Sequence, residues 1–405
     1  MKIQAQKGTR DILPDEIPNW YLMEDKAREI FTLAGCQEIR TPIFEATELF
    51  ARGVGNSTDI VNKEMYTFEK SDRSLTLRPE NTAGVVRAYI ENGFSRKTPP
   101  VKLWYKGPMF RYERPQAGRQ RQFHQVGVEI FGSKEPICDF EAINLAIKYL
   151  NALGFNNLSV EINSLGCPEC RGEFKNNLKR AIEPYLDKLC DDCKLRYEKN
   201  PLRILDCKSP ECQALLASDK IKKIIFSDFI CNECKEHFEK VKYFLDTLNI
   251  KYSVNKLLVR GLDYYTRTVF EVKSENLGAQ NAILGGGRYD GLVEMLGGEP
   301  TPGIGWALGM ERLNSLLEKQ ETLKLDYFIV SNNQAETLIL ADELRSKGKS
   351  VDFDYANRKF GKQLEKAAKI ANYAIILGED EINGNYLTIK NLITSSQEKV
   401  MRCDL

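Results

Sequence analysis

No stretch of this sequence is apolar for the ~20 residues that a membrane-spanning helix requires. The N-terminus, MKIQAQKGTRDILPDE, lacks the apolar core of a secretory signal. Charge of one sign is lacking too: 58 Lys and Arg against 57 Asp and Glu leave a net +1. These absences set expectations. The chain is expected to be cytoplasmic, with no membrane partner. Any surface for nucleic acid must be a local patch rather than a field of the whole molecule. The 405 residues leave room for two or three domains with cores of their own, and 42% hydrophobic with 28% charged is ordinary for a globular protein. The eleven cysteines stand out. In a reducing compartment their spacing points to metal before disulfide.

What is dense is arginine on one hairpin. VKLWYKGPMFRY, Val101–Tyr112, and QFHQVGVEIFG, Gln122–Gly132, read as two strands, with the polar ERPQAGRQR as the loop between them. Arg111, Arg114, Arg119 and Arg121 fall in this span, with Glu113 and Glu129 among them. Arginines on a hairpin tip are usually a solvated face. Here Arg111 closes an apolar strand and Glu129 sits inside one, where a charge needs a partner. Guanidinium forks at this density suit phosphate oxygens.

Around the hairpin the chain alternates helices and strands. Trp20–Ala34 has the spacing of an amphipathic helix, ended by Gly35, and Glu38–Pro42 is extended. Glu64–Lys70 and Ser74–Leu77 read as a hairpin about Ser71, Asp72 and Arg73. Pro79 suits a first helical position and Glu80 the first turn, where the dipole favours an anion. Pro136–Leu153 predicts a helix, and Leu158–Asn163 and Thr268–Val272 predict strands. GGGRYDG, Gly285–Gly291, reads as a glycine-rich turn that permits close backbone approach to a ligand. Gly303–Leu308 predicts a strand and Gly309–Leu317 a helix. Arg312 in the first turn of that helix opposes the dipole, which suggests an anionic partner.

Between 166 and 253 the texture turns lysine-rich, helical and cysteine-rich. Cys167 and Cys170, Cys190 and Cys193, and Cys231 and Cys234 form three CxxC pairs, and Cys207 with Cys212 is a looser fourth. Two thiolates on one tight turn supply half a tetrahedral zinc site. Packing as small apolar residues would explain one pair; four favour structural zinc. Spacing leaves open which thiolates share an ion. From 325 onward, strand–helix alternation predicts a small α/β domain with a mixed sheet. Arg358, Lys359 and Lys362 mark the start of one of its helices.

Four blocks, in matching order and spacing, resemble the histidyl-tRNA synthetases of class II. They are the hairpin Phe110–Gly132, LTLRPENTAG at Leu75–Gly84, LVRGLDYYTRTVFE at Leu258–Glu271 and GIGWALGMERL at Gly303–Leu313. LVRGLDYYTRTVFE together with RQFHQ is the specific part, and the resemblance covers nearly the whole chain. It implies an α+β catalytic core on an antiparallel sheet, split into 1–165 and 254–320. A helical Cys-rich insertion would occupy 166–253, and an anticodon-binding α/β domain 325–405. It implies L-histidine, ATP with magnesium and tRNA(His) as partners, and a homodimer formed through Trp20–Pro42. Arg111 and Arg260 would act on the α-phosphate. Glu113, Arg119 and Arg312 would also serve ATP, and Phe123 would stack on adenine. Glu80, Thr82 and Gln125 would hold the α-amino end of histidine. Glu129 and Tyr265 would pair with the imidazole nitrogens, with Tyr264 and Tyr289 lining the pocket. Arg114, Gln116, Arg358, Lys359 and Lys362 would meet tRNA. Asn81 stands where relatives often have glycine. His124 is expected to pack rather than to act as a base.

Two other readings are less well served by the residues. A histidine-sensing regulatory subunit of ATP phosphoribosyltransferase lacks the terminal domain and erodes the catalytic arginines and the RGLDYY block. Arg111, Arg260, Arg312 and the terminal stretch all stand here. A prolyl or threonyl enzyme would need a pocket without Glu129 and Tyr265.

Overall fold

The computed structural model describes residues 3–404 except 56, 57, 59, 117, 206, 226–228 and 275–281. It divides into two compact units, Met1–Lys319 and Gln320–Leu405.

The first unit is built on an eight-stranded sheet. In spatial order its strands are Gln37–Glu38, Val101–Phe110, Gln122–Phe131, Gly303–Gly309, Ala282–Arg288, Thr266–Ser274, Leu158–Ser164 and Tyr252–Val254. The six inner strands pair antiparallel and the two short edge strands pair parallel. The arginine hairpin forms as its sequence predicts. Val101 lies opposite Phe131 and Phe110 opposite Gln122, which leaves 111–121 as the loop.

Strand alternation gives this sheet two different faces. Val126, Val128, Ile130, Trp306, Leu308, Phe270 and Val272 pack on one side in the main core. That core is completed by three helices, Ile17–Leu33, Pro136–Ala152 and Asn232–Thr247. The first ends as its sequence predicts, with Gly35 just past the cap at φ +76°. The third lies within the cysteine-rich stretch, yet its Phe238, Val241 and Leu245 are buried in the main core. The opposite face carries Phe123, Gln125, Gly127 and Glu129 and is the one that concerns function.

Three local expectations change. GGGRYDG does not start as a turn: Gly285, Gly286 and Gly287 belong to the inner strand Ala282–Arg288. The helix after Pro79 begins three residues later, as Thr82–Glu91. Glu80 precedes it, and its carboxylate accepts from the Thr82 and Ala83 amides at 2.7 and 3.0 Å. A glutamate thus supplies the cap from outside the helix. The helix expected over Gly309–Leu317 is only Met310–Asn314, too short for a dipole argument about Arg312.

The second unit has a mixed five-stranded sheet. Val351–Phe353, Leu325–Val330 and Ala371–Ile376 are parallel, followed by antiparallel Tyr386–Asn391 and Gln397–Met401. Helices Gln334–Ser346 and Phe360–Ile370 connect them, as alternation predicts.

Candidate active site

The functional face of the large sheet is floored with glycine. Glu129 lies opposite Gly305, Gly127 opposite Ala307 and Gln125 opposite Gly309. Gly305 and Ala307 in turn lie opposite Gly287 and Gly285. Missing side chains leave room for others to lie down on the backbone. A methyl on Gly285 would stand 2.3 Å from the Arg260 guanidinium, and one on Gly287 2.9 Å from the Tyr265 ring. On Gly305 it would stand 1.7 Å from Glu129 Oε2 and 2.5 Å from the Val128 carbonyl. Gly305→Ala is therefore expected to destabilise the protein by about 1–3 kcal/mol. An unchanged unfolding transition would show that the carboxylate does not rest there.

One end of this floor holds a buried carboxylate. Glu129 is fully buried, accepts from Thr82 Oγ1 at 2.7 Å, and also accepts from the Tyr289 hydroxyl. Burial pushes its pKa up to about 8, against the hydrogen bonds that lower it. Burial also raises the pKa of Glu80, opposed by the two amides it caps and by Arg111. Tyr264 and Tyr265 are buried, their rings 4.7 Å apart, and Tyr289 lies 5.6 Å from Tyr264. Between this end and the hairpin loop, Gln125 is buried, and its Oε1 has no hydrogen-bond partner among the described residues. A buried acceptor left unmet calls for a donor. Gly309, opposite Gln125, has open space above it.

The other end holds cations. Arg111 donates from Nε to the Pro79 carbonyl at 2.8 Å, and its guanidinium lies 5.2 Å from the Phe123 ring centre. Arg260 pairs with Glu271, which lies opposite Gly285. The sequence neighbour Asp263 accepts from the Asn200 side-chain amide. Arg119 lies 3.6 Å from Glu113. Burial, and then the nearby Arg119, lower the Arg312 pKa, while Glu271 opposes them. Cations crowded this closely favour a polyanion.

Comparison with known proteins agrees with the geometry. The profile described as "Histidyl-tRNA synthetase" matches residues 8–169 and 219–313, and "Anticodon binding domain" matches 327–405. The histidine–tRNA ligase of Halothermothrix orenii is 48% identical, covering 100% of this chain and 98% of its own. That of Pelotomaculum thermopropionicum is 50% identical, covering 97% and 94%.

The chain belongs to the histidyl-tRNA synthetase family.

An apo histidyl-tRNA synthetase from S. aureus superposes with a TM-score of 0.81 at 37% identity, covering 99% of this chain and 97% of that one. Family membership also makes the chain a class II aminoacyl-tRNA synthetase. It does not explain every polar residue near the site. The amide and Nδ1 of His124 lie 2.9 Å from the Glu311 carboxylate, and its ring meets Trp20 edge-on at 4.9 Å.

The remaining expected residues lie elsewhere. Arg114 and Gln116 are on the hairpin loop, where Gln116 and Arg119 exchange backbone hydrogen bonds of 3.1 and 2.9 Å. In the second unit Arg358 pairs with Asp354, Lys362 with Glu365 at 2.8 Å, and Lys359 stands at the helix N-cap. The cysteines sort into two groups that spacing left open. Cys167, Cys170, Cys231 and Cys234 have sulfurs within 4.8 Å of one another, as do Cys190, Cys193, Cys207 and Cys212. Sequence reasoning gave no role to Gly305 or Gly127, which make the floor, or to Glu271, which orients Arg260. GIGWALG puts a small residue at every second position, Gly303, Gly305, Ala307 and Gly309, and that alternation was the available signal.

Proposed function

We propose that histidine and ATP bind end to end along the glycine floor and react there to histidyl-adenylate. By family, the overall reaction is the charging of tRNA(His) with histidine. The observation that carries the residue assignment is the polarity of the face. A fully buried glutamate with tyrosines stands at one end, and Arg111, Arg119, Arg260 and Arg312 stand at the other. Glu129 to Phe123 is six strand residues, roughly 20 Å, room for an amino acid and a nucleotide in line.

In this reading the imidazole enters between Glu129 and Tyr265, with Tyr264 and Tyr289 as walls. Gln125 Oε1 accepts from the α-ammonium, and Glu80 and Thr82 oxygens, already oriented as acceptors and donors within the fold, have lone pairs left for the same group. The histidine carboxylate attacks the α-phosphorus and pyrophosphate leaves. Arg111 and Arg260 hold the charge that develops, Arg119 and Arg312 hold the β- and γ-phosphates, Glu113 orients Arg119, and Phe123 stacks on adenine. Magnesium enters with the ATP phosphates. No protein nucleophile is required; fixed cations and alignment supply the acceleration. The terminal adenosine hydroxyl of the tRNA then attacks the adenylate carbonyl and releases AMP. ATP–pyrophosphate exchange measured across the twenty amino acids is expected with histidine alone, because an apolar analogue would leave Glu129 unpaired. Comparable exchange with proline or threonine would sink the assignment.

The unit from Gln320 serves the tRNA rather than the amino acid, with Arg358, Lys359 and Lys362 on its surface. Arg114 and Gln116 meet the acceptor end. Ending the chain at Lys319 should spare histidine-dependent exchange and weaken aminoacylation; loss of exchange from a folded truncated protein would contradict this. The protein is a homodimer through the first helix and the segment after it, where Tyr21, Leu33, Ile43 and Phe44 are exposed. Exposed apolar groups on neighbouring segments of one stretch favour burial against a partner. A monomer by light scattering at micromolar concentration would count against it. Each four-cysteine group holds one structural zinc ion.

A further inference from the structure

Sulfurs about 2.3 Å from one zinc in a tetrahedron stand about 3.8 Å apart. The Cys167–Cys170 and Cys190–Cys207 sulfur separations are 3.5 and 3.7 Å. Backbone amides already point at the sulfurs: Cys167 N at Cys234 Sγ (3.2 Å), Cys231 N at Cys170 Sγ (3.1 Å) and Cys190 N at Cys212 Sγ (3.3 Å). Such donors stabilise thiolate. The two groups differ in what they touch. Cys193, Cys207 and Cys212 are packed in a small apolar cluster with Leu178, Leu202 and Ile204, inside the helical stretch. Cys167, Cys170, Cys231 and Cys234 stand instead at the starts of two helices, Pro168–Ile182 and Asn232–Thr247.

We infer that this second group is a metal clasp that sets the histidine pocket, and that Arg171 is the positioning residue through which it acts. The inference rests on the histidine site proposed above. Cys167 caps the helix Pro168–Ile182, and Cys170 lies in its first turn. Arg171 follows at once. Its Nη1 donates to the Asp263 and Tyr265 carbonyls at 2.8 and 2.9 Å, the two that flank Tyr264. One half-buried guanidinium thus holds the turn that carries both pocket tyrosines.

The other arm of the clasp reaches the pocket by a separate route. Cys231 caps the helix Asn232–Thr247, and Cys234 lies in its first turn. One turn on, His237 Nε2 lies 3.1 Å from Asp139, which pairs with the fully buried Arg288. The next residue is Tyr289, whose hydroxyl donates to Glu129. Between the arms, Arg267 exchanges backbone hydrogen bonds with Leu165 and Gly166 at 2.7 and 2.8 Å and pairs with Glu233 at 2.6 Å. Gly166 has φ +73°, and a methyl on it would stand 2.5 Å from Cys170 Cβ, so the turn into the clasp requires glycine. A metal here ties together two helix starts whose Cys170 and Cys231 are 61 residues apart in sequence, and fixes Tyr264, Tyr265 and Tyr289 from both sides.

The test uses full-length protein purified reduced and without chelator, with zinc counted by elemental analysis and exchange kinetics run against histidine and against ATP. Two zinc ions per chain are expected. Cys231→Ser should lose one and raise KM for histidine about 10–100-fold, with KM for ATP within about threefold. Cys190→Ser should lose the other ion and leave KM for histidine within about threefold. Arg171→Ala should keep both ions and reproduce the histidine-specific rise, and Arg171→Lys should restore part of it. Parent protein that exchanges with histidine but holds no thiolate-bound metal overturns the clasp and leaves the proposed function standing. Parent protein without histidine-dependent exchange overturns the proposed function itself. Equal loss toward histidine and ATP in Arg171→Ala reduces Arg171 to a structural role and overturns the positioning claim.

Discussion

Arg260→Ala is expected to slow histidyl-adenylate formation about 10²–10³-fold, the usual cost of removing one preorganised electrostatic group. The side chain lies on Gly285, where no Cβ intervenes, and Glu271 holds it from the neighbouring strand. A cation fixed this way needs no rearrangement as charge builds on the α-phosphorus. Arg312 feels the same Glu271, so one carboxylate acts on both the proposed α-phosphate cation and a proposed terminal-phosphate cation. Transfer from preformed adenylate to tRNA should change only a few-fold, since no phosphorus is attacked in that step. Half-buried pairs of this kind contribute about 0–1 kcal/mol, so the melting temperature should fall little. If instead Arg260 only ties the Leu258–Glu271 segment to the sheet, melting drops and single-turnover adenylation stays within a few-fold of the parent. Both readouts on one variant decide the matter.

How much of this site was legible in the sequence depended on the range of the interaction. Local signals held. The hairpin, the first helix with its terminal Gly35 and the strand–helix alternation after 325 follow from periodicity and turn chemistry, and the structure has them. Signals that needed a distant partner did not. Three consecutive glycines read as a turn because nothing local says that Arg260, Tyr265 and Trp306 will lie against them. Glu80 read as a first-turn residue because a side chain capping from before the helix looks the same in sequence as one inside it. The spacing of the eight cysteines suggested a metal site, and only the fold could sort them by fours.

The buried carboxylate gives the second large effect. Glu129→Gln is expected to cut kcat/KM for histidine about 10²–10³-fold, because a charged partner buried against the substrate typically accounts for 2–5 kcal/mol. The same change should stabilise the free protein at high pH. Folding raises the Glu129 pKa from 4.5 to about 8. The native state therefore binds more protons than the unfolded chain between these values, and stability falls as pH climbs through that window. The shift from 4.5 to about 8 corresponds to at most about 5 kcal/mol above pH 8. Glutamine keeps the shape, accepts with its one oxygen from Thr82 or Tyr289 while its amide nitrogen donates to the other hydroxyl, and never ionises. The variant should melt near the parent at pH 5 and progressively above it toward pH 9. Histidine should raise the melting temperature of the parent and not that of the variant. A parent that loses no stability on Glu129 ionisation would melt alongside its variant at every pH, and the pocket would then hold a carboxylate it does not strain to keep.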